Sequence, residues 1–85
     1  MQQFNYTIKD EIGLHARPAG KLSTLCKNFV SEIIIKKNDK EVNGTKLMML
    51  MSLGIKNGDT VTVEISGSDE EKAYREIKAF FEENL

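Results

Sequence analysis

The strongest pattern in the sequence is the alternation of apolar and polar side chains along Thr60–Ser66. Val61, Val63 and Ile65 occupy every second position, which is the period of a β-strand with one buried face. Three further strands are predicted from a similar alternation or from a run of β-branched residues: Phe4–Ile8, Glu32–Lys37 and Glu41–Asn43. Because such strands need cover on one face only, we predict an antiparallel sheet with helices on one side.

Two helical segments are predicted between these strands. The first begins at His15 or Ala16 and ends near Asn28, because its apolar residues recur at intervals of three, four and seven. The second is a short helix that begins at Leu47 and is stopped by Gly54.

A third helix is predicted to start at a capping box, in which Ser68 bonds forward and Glu71 reaches back, and to end near Glu83. The resulting order is β-α-β-β-α-β-α, an α+β fold in one domain that spans residues 1–85. Ile34, Thr62 and Glu64 are expected on the open face of the sheet.

Composition narrows the classes of function. The formal net charge of −1 argues against nonspecific nucleic-acid binding. No segment has the roughly 18 apolar residues of a membrane span, and the polar start of the chain does not resemble a signal peptide. Cys26 is the only cysteine and His15 the only histidine, so we expect no disulfide, no metal site and a reducing, cytoplasmic setting.

The segment Gly13–Ala19 carries the candidate chemistry. It places His15 at the predicted start of the first helix, where the backbone N–H groups of Ala16 and Arg17 have no partner within the helix. The positive end of the helix favours a neutral imidazole and attracts an anion. The guanidinium of Arg17 is suited to bind phosphoryl oxygens through two hydrogen bonds. The alternative is that His15 is an ordinary surface or capping residue.

A candidate partner surface lies on the first two helices. A helical wheel centred on Leu50 puts Leu47, Leu53 and Gly54 on the core side. Three methionines then face water, and exposed methionines adapt to different partners: Met48, Met49 and Met51. The outward stripe of the first helix contains Arg17, Gly20, Thr24 and Lys27. Alternatively, the apolar run simply overfills a short helix.

These residues resemble the histidine-containing phosphocarrier family HPr of the bacterial sugar phosphotransferase system. The stretch Gly13–Ala19 is similar to the phosphorylation-site signature of that family, and Met51–Ile55 is similar to the segment that closes its second helix. The resemblance covers nearly the whole chain. It implies an open-faced β-sandwich, with a four-stranded antiparallel sheet and three helices on one face.

The resemblance also implies a function and a set of site residues. His15 would accept a phosphoryl group on Nδ1 from enzyme I and donate it to a sugar-specific enzyme IIA, with Arg17 attending the group. Partner-contact positions would be Gly20, Thr24, Lys27, Leu47, Met48 and Met51. The protein would be a carrier without a cofactor and without turnover of its own, and we expect a monomer.

One position departs from the family pattern. Lys46 occupies the place of a regulatory serine that an ATP-dependent kinase phosphorylates in some members, and lysine is a poor helix cap. We therefore expect that this regulation is absent and that Thr45 or Asn43 caps the second helix. Two other functions remain open: a regulatory or nitrogen-branch carrier that does not serve sugar uptake, and a binding module that is never phosphorylated.

Overall fold

The seven predicted elements are all present in the computed structural model, which describes residues 1–85. The order β-α-β-β-α-β-α is confirmed. The elements have these bounds: β1 Gln2–Thr7, α1 Ala16–Cys26, β2 Glu32–Lys37, β3 Lys40–Asn43, α2 Leu47–Ser52, β4 Thr60–Ser66 and α3 Glu70–Asn84.

The strands form one antiparallel sheet in the order β1-β4-β2-β3. Val63 lies at its centre, between Phe4 of β1 and Ile35 of β2. The apolar side chains of the strands point to one face, where the three helices cover them and a single cluster of 19 buried residues forms. The predicted open-faced α+β architecture is therefore confirmed.

Thr62, Glu64 and Ile34 lie on the open face of the sheet, as predicted, and none belongs to the buried core. Thr62 donates its hydroxyl to the Asn5 side chain at 2.7 Å, and Glu64 pairs with Lys36 at 3.0 Å. Ile34, the β2 residue opposite Glu64, is half-buried. The Glu64 carboxylate, through its hydrogen bond, raises the pKa of the Lys36 ammonium above its ordinary value.

Strand and helix ends differ slightly from prediction. β1 ends at Thr7, and Ile8 follows it as a buried residue outside the strand. β3 begins one residue early, at Lys40. α1 ends at Cys26, because the amides of Asn28 and Phe29 bond to carbonyls three residues back and so tighten the last turn.

The predicted capping box at the start of α3 is wrong. Asp69 occupies the N-cap position and makes no cap bond, while Glu71 is exposed. The Asp69 carboxylate instead accepts hydrogen bonds from the amides of Val30 and Ser31 and from the Ser31 hydroxyl. It therefore ties the α1–β2 loop to α3, and these bonds, the one from the Ser31 hydroxyl first, lower the pKa of Asp69.

Two predictions for α2 are also corrected. Leu47 does not share the core side with Leu50, because 38% of its surface is exposed, whereas Leu50 is fully buried. Neither Asn43 nor Thr45 caps the helix. The Asn43 side-chain oxygen accepts from the Thr45 amide and hydroxyl, and Lys46 stands at the N-cap without a side-chain bond. Gly54 ends α2 with a φ of +62°, as predicted.

The Asp69 bonds predict a pH-dependent contribution to stability. Since its folded pKa lies below the unfolded value, the contribution is present at neutral pH and is lost as pH falls through the folded pKa. We expect Asp69→Asn to lower the urea midpoint of unfolding at neutral pH. The difference in midpoint between this variant and wild type should narrow below about pH 4. Asp39→Asn, an exposed turn position, is the control and should leave the midpoint unchanged at both pH values. A gap that stays constant with pH would contradict this role.

Candidate functional site

His15 stands at the N-cap of α1. Its backbone is extended, with φ −96° and ψ −171°, and its carbonyl accepts the first helical bond from the Ala19 amide at 3.0 Å. The imidazole caps nothing and is exposed, so its ring nitrogens are free to react. The predicted placement of His15 at the helix start is confirmed.

The first turn of α1 offers unpaired donors beside this ring. The amides of Ala16 and Arg17 have no intrahelical partner, because the carbonyls four residues back lie outside the helix. Pro18 has no N–H, and no acidic residue lies in this turn to neutralise the positive helix end. The arrangement suits a bound anion that carries several oxygens.

A shallow cleft of about 180 Å³ opens at this turn. Six polar or small residues line it: Asp10, His15, Arg17, Pro18, Lys21 and Asn84. Arg17 and Lys21, one helical turn apart, bring two positive charges to the imidazole. Lys21, Asp10 and Asn84 were not among the site residues predicted from the sequence. The spacing of Lys21 from Arg17 was a usable signal, whereas Asn84 reaches the cleft only because α3 ends there.

Buried neighbours hold the His15 loop in place. Leu14 is buried and its amide donates to the Ile55 carbonyl at 3.0 Å. Gly13 has a φ of +84°, and a Cβ there would lie 2.5 Å from Cα of Lys56. Only glycine tolerates both the left-handed backbone and this close approach. The loop is thus clamped against the segment between α2 and β4.

Asp59 fixes that opposing segment. Its carboxylate accepts from the Lys56 amide at 2.9 Å and pairs with Lys37, also at 2.9 Å. The Lys37 ammonium donates in turn to the Gly54 carbonyl. The hydrogen bond from Lys37 lowers the pKa of Asp59, so the Asp59 carboxylate is charged at neutral pH.

The candidate partner surface is open and partly apolar. Met48 is 76% exposed, Met49 51% and Met51 39%. A groove of about 590 Å³ lies between the end of α1 and α2, lined by Lys27, Phe29, Thr45, Lys46, Leu47, Met48 and Met49. Met51 is exposed on the same helix but does not line the groove.

A second groove of about 460 Å³ runs along α1. It is lined by Arg17, Gly20, Lys21, Thr24, Leu25 and Asn28. Because Arg17 and Lys21 also line the His15 cleft, cleft and groove form one continuous surface. Every predicted partner-contact residue thus lies on α1, on α2 or in the turn directly after α1.

Three other features are inactive or absent in the structure. Cys26 is fully buried in the core, and burial raises the pKa of its thiol to about 12, so it stays protonated. No group of three or more His, Cys, Asp or Glu side chains is placed to hold a metal ion. No helix has the length and apolarity that a membrane crossing requires.

Comparison with known proteins identifies the family. Residues 2–83 match the family PTS-HPr, described as the PTS HPr component phosphorylation site. The chain belongs to the HPr family of phosphocarrier proteins. The phosphocarrier protein HPr of Mycoplasma genitalium is 41% identical over 85 residues, which cover 99% of this chain and 97% of that protein.

Solved HPr-type structures share the fold. HPr from Thermoanaerobacter tengcongensis superimposes with a TM-score of 0.91 at 36% identity, covering 96% of this chain and 92% of that one. The catabolite repression protein Crh of Bacillus subtilis, whose crystal structure is an intertwined, swapped dimer, has a TM-score of 0.77 at 33% identity and covers 100% and 98%. The chain is therefore a phosphocarrier of the phosphotransferase type.

The clamp at Gly13 generates a stability prediction. We expect Gly13→Ala to lower the free energy of unfolding by about 1–3 kcal/mol more than Gly58→Ala in urea titrations. Gly58 has a similar φ of +88°, but a Cβ there meets nothing within 4 Å. The pair therefore separates backbone strain from the clash with Lys56, and equal losses for the two variants would show that the close approach is unimportant.

Proposed function

We propose that this protein accepts a phosphoryl group on His15 from the phosphohistidine of enzyme I and passes it to a sugar-specific enzyme IIA. The observation that carries the proposal is the free, exposed imidazole at the N-cap of α1. It stands beside two unpaired amides and the Arg17 guanidinium. Membership of the HPr family supports the same role.

The transfer uses the neutral His15 ring as nucleophile. Its Nδ1 forms a bond to phosphorus while the bond from phosphorus to the donor histidine breaks. Each ring keeps a proton on the nitrogen that does not carry phosphorus, so no net proton is taken up or released. The amides of Ala16 and Arg17 and the Arg17 side chain hold the oxygens, so that positioning and electrostatics supply the catalysis. The open cleft lets the group leave again, as a carrier requires.

Charge is unevenly distributed over the chain, which indicates the nature of the partner. Residues 14–31 and 42–58, which include α1 and α2, contain five basic residues and no acidic one. The remaining residues include seven basic and thirteen acidic side chains. A surface that is basic around an apolar patch fits partners with acidic rims, and such attraction speeds encounter.

Partner docking uses residues of this surface. Gly20, Thr24 and Lys27 contribute from α1 and its following turn, and Leu47, Met48 and Met51 from α2. The grooves are shallow, so the contacts are small and transient, which suits a carrier that must release each partner. We expect the protein to act as a monomer in the cytoplasm, without a cofactor.

The second candidate is a regulatory carrier that does not serve sugar uptake. Lys46 at the regulatory position and the similarity to Crh favour it. Restoration of sugar uptake in cells that lack their own HPr would support the first function. Phosphorylation of the protein without restored uptake would support the second.

The proposed function predicts the behaviour of two site variants. With purified enzyme I and phosphoenolpyruvate, His15→Ala should take up no phosphate, because the nucleophile is gone. Arg17→Ala should fold normally and slow transfer by about tenfold or more, because a charged oxygen donor is lost. Acid-labile phosphate, measured by intact-protein mass, gives both results.

Arg75→Ala is the matched control for Arg17→Ala. Arg75 is the other arginine of the chain and is exposed on α3, away from the cleft. Its variant should accept phosphate at the wild-type rate. Equal labelling of wild type and His15→Ala would rule out His15 as the acceptor, and binding of enzyme I without any labelling would favour the plain binding module.

Lys46 predicts the absence of serine-type regulation. The nearest hydroxyl residues on either side of Lys46 in sequence are engaged, since Thr45 donates to Asn43 at 2.7 Å and Ser52 to the Met49 carbonyl at 2.6 Å. We expect no phosphate from ATP and the HPr serine kinase, whereas Lys46→Ser should be labelled at the new serine. Peptide mapping of phosphate to Thr45 or Ser52 in the wild type would contradict this.

A further inference from the structure

Asp10 lies outside the His15 motif but in the same cleft. One carboxylate oxygen, Oδ2, accepts two backbone hydrogen bonds, from the Ile12 amide at 3.0 Å and the Gly13 amide at 3.1 Å. The Asp10 backbone is itself held, because its amide donates to the Leu85 carbonyl at 2.7 Å. The backbone of Asp10 is therefore held by Leu85, and its side chain in turn holds the loop at Ile12 and Gly13.

The loop leads directly from these bonds to the reacting ring. Gly13 is clamped against Lys56, the Leu14 amide bonds to Ile55, and His15 follows as the N-cap. The His15 amide also donates to the Gly13 carbonyl at 3.2 Å. Hence a shift of Gly13 moves His15 relative to the amides of the first turn of α1. Transfer depends on that geometry to within a fraction of an ångström.

We propose that Asp10 is a positioning residue for phosphoryl transfer and that it acts through the geometry of its two amide bonds rather than through its charge. This inference rests on the function proposed above. The Oδ2 atom of Asp10 already accepts the two amide hydrogen bonds, whereas Arg17 and Lys21 supply the positive charge that an anionic group needs. A second negative charge in the cleft opposes a phosphoryl group, so charge alone gives no reason for an aspartate here.

Substitutions of Asp10 can separate an effect of hydrogen-bond geometry from an effect of charge. Asparagine keeps an oxygen at the same distance from the backbone and can accept both amide bonds, but it carries no charge. Glutamate keeps the charge, but its extra methylene places the oxygens beyond the local turn. Alanine removes both properties.

The experiment measures phosphoryl transfer from enzyme I to wild type, Asp10→Asn, Asp10→Glu and Asp10→Ala, resolving kcat from KM for the carrier as substrate. We expect Asp10→Asn to stay within about twofold of wild type in kcat, and Asp10→Glu and Asp10→Ala to lose about tenfold. KM should be unchanged within about twofold for all three, since the docking surface on α1 and α2 is intact.

Asp39→Glu and Asp39→Asn, at an exposed turn between β2 and β3, are the controls and should behave as wild type. If Asp10→Ala does not fold, the comparison of Asp10→Asn with Asp10→Glu decides alone. A fast Asp10→Glu with a slow Asp10→Asn would assign the effect to charge and overturn the proposal, as would equal kcat values or a change in KM only. Absence of any labelling in wild type would refute the proposed function instead.

Discussion

The site depends on the burial of Leu14 directly before the exposed His15. The buried Leu14 side chain and the hydrogen bond from the Leu14 amide to the Ile55 carbonyl hold this residue in place. His15 must therefore leave the core at the point where α1 begins. The imidazole is therefore exposed on a rigid support rather than on a free loop. The same contact leaves the first amides of the helix facing water, where an anion can reach them.

Local patterns in the sequence were sufficient for the architecture. The alternation around Val63 and the helical spacing of the apolar residues determine which faces are buried, and those faces permit few arrangements of seven short elements. The exposed methionines and the place of His15 at a helix start followed from the same periodicity. Resemblance to the HPr family added the partners and the chemistry, which no periodicity contains.

The capping-box prediction failed because of bonding between residues distant in sequence, and other predictions failed because of how the elements pack or bond locally. Ser68 and Glu71 fit a capping box locally, but Asp69 is engaged by Ser31, 38 residues away, and the helix starts around that bond. Leu47 fits the core side of a helical wheel, yet 38% of its surface is exposed. Asp10 was not predicted as a site residue, because only the fold brings it into the His15 cleft.

Because its methionines all lie on the surface, the protein is more sensitive to oxidation there than in its core. No methionine belongs to the 19-residue core, which consists of branched aliphatic side chains, alanines, two phenylalanines and Cys26. All four thioethers are exposed, three of them on α2. Oxidation to sulfoxide turns an apolar methionine polar. Peroxide would therefore alter the proposed partner-contact face while leaving the packing that maintains the fold untouched.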